Sequence, residues 1–580
     1  MKKLSRAIVL ACCLLAVAAL TGCDQPTAPE ASRPPSQAAD AGGQAESREA
    51  LLVSNARLYT FNDQNAWHER GAMAISPDGK LIEVGPETDM LERFSKAQRV
   101  DLGGQTVIPG LIDAHAHLAG LAQSFTRANL MGAENKAEVL DRLREFEQTL
   151  PEGAWLLGRG WDQNDWPEKT FPSRADLDLA FPERPVWLRR VDGHAGWANS
   201  RAIAEVDRDL GGNWQEQGGY IHRDDAGEPT GIFIDKAMAW VERAVPSDSP
   251  ELMSRALDMA THAMVSQGLT GVHEAGTSLD LVRLYQAKIA AGDLPVRIYA
   301  MADGMNESLD WLCDNGVYDD PSGLLLMRSV KLYADGALGS RGAALLSDYS
   351  DEPGNSGLMF MNAEEIDEQL RRVFSCGLQA GIHTIGDRAN REMLDALERV
   401  VPEFPDNPGR HRLEHAQILD AADIPRFARL EVIAAMQPTH ATSDMYWAED
   451  RLGSDRILGA YAWVSLQESG ARLALGSDFP VEEVNPMLGI YAAVTRQDLD
   501  GWPEGGWLPQ ERLTREAAIR GFTIDAAWAA FMEDRVGSLE AGKQADFIVL
   551  DRDIMQVPER EIPDTRVLQT WVGGKKVYQR

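Results

Sequence analysis

The chain has 580 residues, and its 57 Lys and Arg against 89 Asp and Glu give a formal net charge of −32 and an isoelectric point near 4.8. Such an acidic chain lacks the basic surface that binding to nucleic acid requires. The 44% hydrophobic content, with 15 Trp and 15 Phe, excludes a disordered polar chain. The length allows two to four domains, or one large barrel with additions.

The first 22 residues have the composition of an export signal. Lys2, Lys3 and Arg6 precede an apolar run over residues 7–20, which is too short for a confident transmembrane helix. The run ends in Leu-Thr-Gly-Cys at residues 20–23, which resembles the bacterial lipobox. We therefore predict a signal peptide over 1–22 and a lipid on Cys23 that anchors the protein at the periplasmic side of the cell envelope. A soluble secreted protein is the alternative.

Residues 23–49, rich in Pro, Ala, Ser and Gln, have the composition of a flexible tether. Beyond residue 23 the sequence contains two cysteines, Cys313 and Cys376, which allow one disulfide but provide no disulfide framework.

Short strand patterns occur at both ends of the remaining chain. They cover residues 51–53, 73–75, 81–84 and 106–112, and then 546–550 and 567–577. Neither group contains enough strands for a domain of its own. We predict that segments 50–106 and 536–580 together form one small composite β domain, a β-sandwich.

Between these ends, strand and helix patterns alternate, which is typical of parallel βα units. Helices are predicted after Asn135, with Glu138, and after Asn362, with Glu365, because these pairs match N-terminal capping boxes. Eight strands end in polar residues: 107–117, 270–274, 296–302, 329–335, 378–383, 410–415, 432–437 and 472–478. The pattern predicts an α/β fold with a TIM (β/α)8 barrel over residues 107–535, whose chemistry lies at the carboxyl ends of the strands.

Residues 118–249 follow the first barrel strand but contribute none of the eight barrel strands, and we interpret them as an insertion. The insertion holds seven of the 15 Trp residues. We predict a lid with an aromatic inner face, and hence an apolar or aromatic substrate group. The alternative is that these Trp residues only pack the core of the insertion.

The histidines provide the strongest functional signal. His115 and His117 are two residues apart on the first strand, so both imidazoles project from one face into the barrel. Two adjacent buried imidazoles cannot both be protonated at low cost, and binding a metal ion resolves that conflict. An isolated His-x-His pair is a weak signal, but its position after the segment IPGLID at 108–113 strengthens it. His383, His415 and Asp478 end the fifth, sixth and eighth strands, where a barrel places its active site.

This set resembles the amidohydrolase superfamily, and the flanking segments resemble amidohydrolase family 3, the group that includes N-substituted formamide deformylase. The matching segments are GRGWDQ at 158–163, DGH at 192–194, KLYADG at 331–336, QPTH at 437–440 and GKQAD at 542–546. They extend over essentially the whole chain after residue 50. The resemblance implies the barrel, the composite β domain and a metal-dependent hydrolase.

The resemblance also implies roles for individual residues. His115 and His117 would hold one metal ion and His383 and His415 a second, with Lys331, carboxylated by CO₂, as the bridge between them. The alternative is a mononuclear site with an ordinary buried lysine paired with Asp335 or Glu274. Asp478 would bind metal, accept a proton from water and return it to the leaving amine.

Further residues are expected around the substrate. His440 and His194 are candidates for holding the carbonyl oxygen or the substrate, and Trp161, Asp162 and Arg341 are candidates for substrate contacts. Zinc is the first expectation for the metal, but the ligand types also suit manganese, iron or cobalt.

We therefore predict hydrolysis of a carbon–nitrogen bond, an amide or N-acyl bond, in a small molecule. Hydrolysis of an ester, lactone or cyclic amide at the same site, or a non-catalytic lipoprotein that binds a ligand, are the alternatives. The sequence leaves open the number of metal ions and whether the protein forms a homo-oligomer.

Overall fold

The structure is a computed structural model that describes residues 50–151, 153–246 and 249–580. The predicted signal peptide, the lipidation site at Cys23 and the tether lie outside the described residues. Among the residues that are described, no helix has both the length and the apolar character needed to cross a membrane.

The strands of the described chain belong to three sheets. In chain order they are β1 (Leu51–Tyr59), β2 (Trp67–Ile75), β3 (Leu81–Pro86), β4 (Gln98–Asp101), β5 (Thr106–Pro109), β6 (Leu111–Ala116), β7 (Ala128–Asn129), β8 (Leu156–Trp161), β9 (Val186–Arg190), β10 (Ala195–Ala198), β11 (Gly219–Arg223), β12 (Pro229–Asp235), β13 (Leu269–Thr277), β14 (Arg297–Asp303), β15 (Tyr318–Asp319), β16 (Leu325–Tyr333), β17 (Gln379–Thr384), β18 (Arg412–His415), β19 (Ile433–Met436), β20 (Leu473–Leu475), β21 (Phe547–Leu550), β22 (Val567–Val572) and β23 (Lys575–Gln579).

The α-helices lie mainly between the strands of the barrel. They are α1 (Glu87–Arg93), α2 (Leu118–Ser124), α3 (Lys136–Glu147), α4 (Arg174–Ala180), α5 (Ser200–Ala204), α6 (Ala239–Glu242), α7 (Pro250–Ser266), α8 (Leu279–Ala291), α9 (Glu307–Asn315), α10 (Ala363–Ser375), α11 (Asp387–Val400), α12 (Ile424–Arg429), α13 (Pro438–Asp444), α14 (Ala448–Arg456), α15 (Trp463–Glu468), α16 (Pro486–Thr495), α17 (Arg515–Gly521) and α18 (Ile524–Ala529). The side chains of Asn135 and Asn362 cap α3 and α10, as the sequence predicts.

Eight parallel strands form the predicted TIM barrel, in the order β6, β13, β14, β16, β17, β18, β19 and β20. The last strand returns to the first through backbone hydrogen bonds. The N–H of Asp478 donates to the carbonyl of His115 (2.7 Å), and the N–H of His117 donates to the carbonyl of Phe479 (2.8 Å). Both faces of these strands are covered, which is why they consist largely of buried apolar residues.

The predicted first strand, 107–117, is in fact two strands separated by Gly110. β5 pairs antiparallel with β21 in the composite domain, whereas β6 pairs with β13 in the barrel. A side chain at Gly110 would approach Thr270 Oγ1 to 2.3 Å, so only glycine permits this close crossing. The apolar run continues across the break, and for this reason its pattern does not reveal the boundary.

Both chain ends form the composite β domain as one eight-stranded sheet, in the order β23, β22, β21, β5, β1, β2 and β3, with β4 also paired to β1. The turn between β2 and β3, at Gly79, contacts the turn between β22 and β23, at Gly573. Because three strands separate β2 from β22 in the sheet, this contact shows that the sheet curls over its own core. Arg297 of the barrel and Asp546 of the GKQAD segment form a buried bidentate ion pair at 2.6 and 2.9 Å. This pair fastens the domain to the base of the barrel.

The insertion contains its own six-stranded sheet, in the order β11, β12, β10, β9, β8 and β7. Its seven Trp residues pack in the two hydrophobic cores of this unit. The expectation of an aromatic inner face is therefore wrong, because the tryptophans stabilise the insertion itself. Cys313 at the end of α9 and Cys376 after α10 form a disulfide, with their Cα atoms 5.0 Å apart.

Candidate metal centre

Potential metal ligands from the ends of four barrel strands meet at the carboxyl end of the barrel. One ligand atom from each of His115, His415 and Asp478 lies within 4.8 Å of the others, and all three residues are buried. His117 is adjacent, with its Nε2 atom 3.1 Å from Asp478 Oδ1. His383 completes the cluster, because its ring centroid lies 4.6 Å from that of His415.

Two of the imidazoles have an acceptor behind the Nδ1 atom. His115 Nδ1 lies 2.5 Å from Glu414 Oε2, and His415 Nδ1 lies 2.8 Å from Gln437 Oε1. An acceptor at Nδ1 places the proton there and leaves Nε2 as a lone-pair donor. These two residues therefore present Nε2 atoms in the form that a metal ion requires. His383 Nδ1 lies 3.3 Å from Asp335 Oδ1 but forms no hydrogen bond with a described residue.

Electrostatics favour the same protonation state. Burial and the neighbouring Lys331 lower the pKa of His115 to about 4, and burial holds the pKa of His383 and of His415 well below 6.5. Burial opposes ionisation of Asp478, but the surrounding imidazoles outweigh it and hold its pKa well below 3.8. At neutral pH the site therefore contains neutral imidazoles and a carboxylate, which is the ligand state.

Lys331 lies on β16 among these ligands. Its Nζ atom is 3.2 Å from His115 Nε2, and burial lowers its pKa. It does not pair with Asp335 or Glu274, the partners that an ordinary buried lysine was expected to have. Asp335 accepts backbone N–H groups of three residues at 2.8–3.0 Å, and Glu274 accepts those of Leu118 and Ala119.

Two polar atoms at the centre indicate that it is built to hold a further group. His440 Nε2 is buried and has no hydrogen-bond partner among the described residues, and Asp478 Oδ1 is buried and close to His117 Nε2 but not aligned for a hydrogen bond with it. Native structures rarely leave buried polar atoms unpaired. A divalent metal ion suits this donor set of imidazole nitrogens and a carboxylate.

A cavity of about 760 Å³ lies directly over the centre. Asp162, His194 and His440 line it, as predicted. Trp161 does not, because its ring is fully buried in the insertion and its indole N–H donates to the carbonyl of Leu188. Arg341 is also absent from the lining and instead pairs with Asp351 at 2.9 Å.

Charged residues, and not tryptophans, form the wall that the insertion contributes to the cavity. They are Arg159, Asp162, Asp165, Arg189, Arg190 and Asp192. The expectation of an apolar or aromatic substrate group is therefore not supported, because its basis was the tryptophan content.

Several orienting residues were not identified from the sequence. Glu414 is adjacent to His415 in the sequence, but its carboxylate contacts His115, which lies on a different strand of the barrel. This contact depends on how the barrel closes and is not visible in the sequence. Asp235 lies 2.7 Å from His194 Nδ1 and packs against Gly336 and Gly342. In the sequence, this contact is indicated only by the two glycines of the loop after β16. A side chain at either position would approach Asp235 Oδ2 to 2.6 Å.

Comparison with known proteins extends the observations on the site. The profile of a family described as the amidohydrolase family matches residues 98–578. Protein LONG AFTER FAR-RED 3 of Arabidopsis thaliana is 33% identical over 91% of this chain and 91% of its own length. N-substituted formamide deformylase of Arthrobacter pascens is 30% identical over 91% of this chain and 98% of its own. An uncharacterized metal-dependent hydrolase from Pyrococcus horikoshii OT3 superposes with a TM-score of 0.71 at 27% identity, over 88% and 99% of the two chains.

The acceptors behind the imidazoles can be tested by metal binding. We expect Glu414→Gln to lower the affinity for zinc about 10- to 100-fold, because the amide no longer fixes the His115 ring and its proton. Gln437→Met, which removes the acceptor of His415 without leaving a buried charge unpaired, should have a similar effect. The affinity is measured by competition with a chelator, and the melting temperature of the metal-free protein reports on folding.

Glu533→Gln is the matched control, because Glu533 pairs with Arg410 on the outside of the barrel, at 2.7 Å. Its affinity for zinc should equal that of the wild type. Wild-type affinity in both Glu414→Gln and Gln437→Met would contradict the role given to these acceptors.

Proposed function

The chain belongs to the amidohydrolase family and is a metal-dependent hydrolase, and we propose that it cleaves a carbon–nitrogen bond, an amide or N-acyl bond, in a small molecule. The observation that carries this proposal is the set of imidazoles around Asp478, two of which Glu414 and Gln437 orient by hydrogen bonds. The similarity to a deformylase of N-substituted formamides supports the choice of bond.

The residues that would hold the metal are His115, His117, His383, His415 and Asp478, with Lys331 between them. When bound, a divalent metal would polarise the carbonyl group of the substrate and lower the pKa of a water molecule. Zinc is the proposed ion, since imidazole and carboxylate ligands suit it.

Asp478 is proposed as the base and acid of the reaction. Its Oδ1 atom lies 3.1 Å from His117 Nε2 and 3.6 Å from His115 Nε2, at the centre of the ligand set. In hydrolysis the water oxygen bonds to the acyl carbon, the carbon–nitrogen bond breaks, and one water proton passes to the departing nitrogen. Asp478, ionised at neutral pH, is placed to accept that proton and then deliver it.

Two histidines are proposed to hold the acyl oxygen. His440 Nε2 lies 3.7 Å from Asp478 Oδ2 and has no hydrogen-bond partner within the part of the chain that the structure describes. His194 reaches the cavity from the insertion, with its ring centroid 5.0 Å from that of His383. Burial alone would lower the pKa of His194, but Asp235 outweighs it and raises the pKa, so His194 favours the protonated, donating form.

We propose that Lys331 is carboxylated and bridges two metal ions. Its buried amine, with a lowered pKa and no carboxylate partner within ion-pair distance among the described residues, favours the neutral form, whose nitrogen attacks the carbon of CO₂ and then loses a proton. A carbamate also replaces a cation with an anion between the metal ligands, which removes the repulsion that an ammonium would exert on a metal.

Hydrolysis of an ester, lactone or cyclic amide remains the second candidate, because the same residues would serve it. A degenerate, non-catalytic barrel is disfavoured by the complete ligand set and by Asp478. The proposal of lipid anchoring at Cys23 is based on the basic residues Lys2, Lys3 and Arg6, on the apolar run over residues 7–20 and on the lipobox-like tetrapeptide.

Substitution of the proposed base tests the mechanism. We expect Asp478→Asn to lower kcat by about 10²- to 10⁴-fold while zinc remains bound, because the amide keeps an oxygen donor but cannot accept the proton. Turnover of N-acyl amines and N-acyl amino acids is measured together with metal content. Asp367→Asn is the control and should retain activity, because Asp367 lies on an outer helix, where it pairs with Arg399. Undiminished turnover in a zinc-loaded Asp478→Asn protein would contradict the mechanism.

Substitution of Cys23 tests the anchor. In a bacterial host, the wild-type chain should incorporate labelled fatty acid and sediment with membranes. Cys23→Ser should lose the label and appear in the soluble periplasmic fraction, because no thiol is available for lipidation. Unlabelled wild-type protein, or a variant that stays in the membrane fraction, would refute the anchor.

A further inference from the structure

Two arginines of the insertion meet above a glycine at the wall of the active-site cavity. The Nη2 atoms of Arg159 and Arg189 each lie 3.7 Å from the point that a side chain at Gly193 would occupy. The two guanidinium groups are therefore no farther apart than twice that distance. Gly193, with a φ of 76°, leaves the space between them open.

The loop that carries His194 holds both guanidinium groups in place. Arg159 Nη2 donates to the carbonyl of Val191 (3.0 Å), and Arg189 Nη2 donates to the carbonyl of Gly193 (3.2 Å). The remaining Nη1 atoms make no recorded hydrogen bond with any described residue. The two guanidinium cations therefore lie close together while some of their N–H groups have no acceptor. Their mutual repulsion is unfavourable unless an anion binds between them.

The carboxylates of the cavity do not satisfy this pair. Asp162 and Asp192 both bind the buried Arg190. Glu242, which lines a neighbouring cavity, forms an ion pair with Arg189 at Nε (3.3 Å) but no hydrogen bond, and no hydrogen bond joins it to Arg189 Nη1. Arg159 forms no ion pair within 4.0 Å among the described residues, and its Nε atom is buried without a partner.

The pair also lies within electrostatic reach of the metal centre. Burial and, less strongly, repulsion by Arg189 lower the pKa of Arg159 to about 10, while Asp478 acts in the opposite direction. Arg159, Arg189 and Asp478 also line the same cavity of about 760 Å³. An anion at the arginines and a scissile bond at Asp478 can therefore belong to one small molecule.

We propose that Arg159 and Arg189 form a carboxylate subsite, so that the substrate is an acyl compound with a free carboxylate, of which an N-acyl amino acid is the simplest. The planar guanidinium groups match the two oxygens of a carboxylate, and each bond to it is charge-assisted. The inference rests on the proposed cleavage of a carbon–nitrogen bond and specifies which molecules undergo it.

The test compares matched substrates: a panel of N-acyl amino acids and the corresponding uncharged carboxamides. For the wild type, we expect a kcat/KM about 10- to 100-fold higher for the acids, because two charged hydrogen bonds are lost in the amides. Arg159→Gln and Arg189→Gln should remove this preference by raising KM for the acids, with little change for the amides. Arg159→Lys, which keeps the charge, should retain part of it.

Binding provides a readout that does not depend on turnover. Titration calorimetry of an N-acyl amino acid into zinc-loaded Asp478→Asn protein should show binding that Arg159→Gln weakens about 10- to 100-fold. Arg283→Gln is the control, because Arg283 is exposed, pairs with Asp280 and lines only a neighbouring cavity. It should leave both the binding and the preference unchanged.

The outcomes separate the two proposals. If amides and acids are cleaved equally well and the arginine variants affect both alike, the carboxylate subsite is refuted while the cleavage of carbon–nitrogen bonds stands. If the acids bind in an arginine-dependent manner but no member of the panel is cleaved, the subsite stands and the proposed reaction fails.

Discussion

The protonation state of the buried histidines is the constraint on which the rest of the site depends. Three imidazoles packed against one another cannot all be charged, and burial alone would leave the position of each remaining proton undetermined. Glu414 and Gln437 determine it for His115 and His415 by accepting at Nδ1. The resulting inward Nε2 atoms account for metal binding and for the ionised Asp478 beside them.

The barrel is closed in a way that serves this arrangement. Asp113 is buried between the first and last strands and accepts the backbone N–H of His115 (3.1 Å) and the hydroxyl of Ser477 (2.6 Å). One residue thus aligns a metal-ligand strand with the strand that delivers Asp478. Arg412 donates to the carbonyl of Ala114 (2.6 Å) and also to Glu414, which links the orienting carboxylate to the same first strand.

Much of this could be predicted from the sequence, for physical reasons that differ between features. The eight strands and the inward histidines follow from local periodicity and from the position of polar residues at strand ends. The break at Gly110 could not be predicted, because the apolar run is continuous and the glycine is required by Thr270, a distant residue. The role of Glu414 toward His115 also depends on which strands become neighbours.

The tryptophans of the insertion show where composition misleads. Seven of them in one segment suggested an aromatic pocket, yet aromatic side chains also provide the largest buried area for a small unit that needs its own core. The cavity wall instead carries paired and unpaired charges, and Asp235, which reaches between Gly336 and Gly342, anchors His194 to the barrel. Substrate selection is therefore assigned to the charges of the insertion and hydrolysis to the barrel.

The most direct test of this account is anomalous diffraction at the zinc edge from crystals of the zinc-loaded protein. The account predicts a peak bounded by Nε2 of His115, Nε2 of His415 and the carboxylate of Asp478, with Nδ1 of both rings still facing Glu414 and Gln437. Continuous density for a carbamate on Lys331, with a second peak near His383, is expected in the same map. A peak at another place, or rings that bind the metal through Nδ1, would contradict the account.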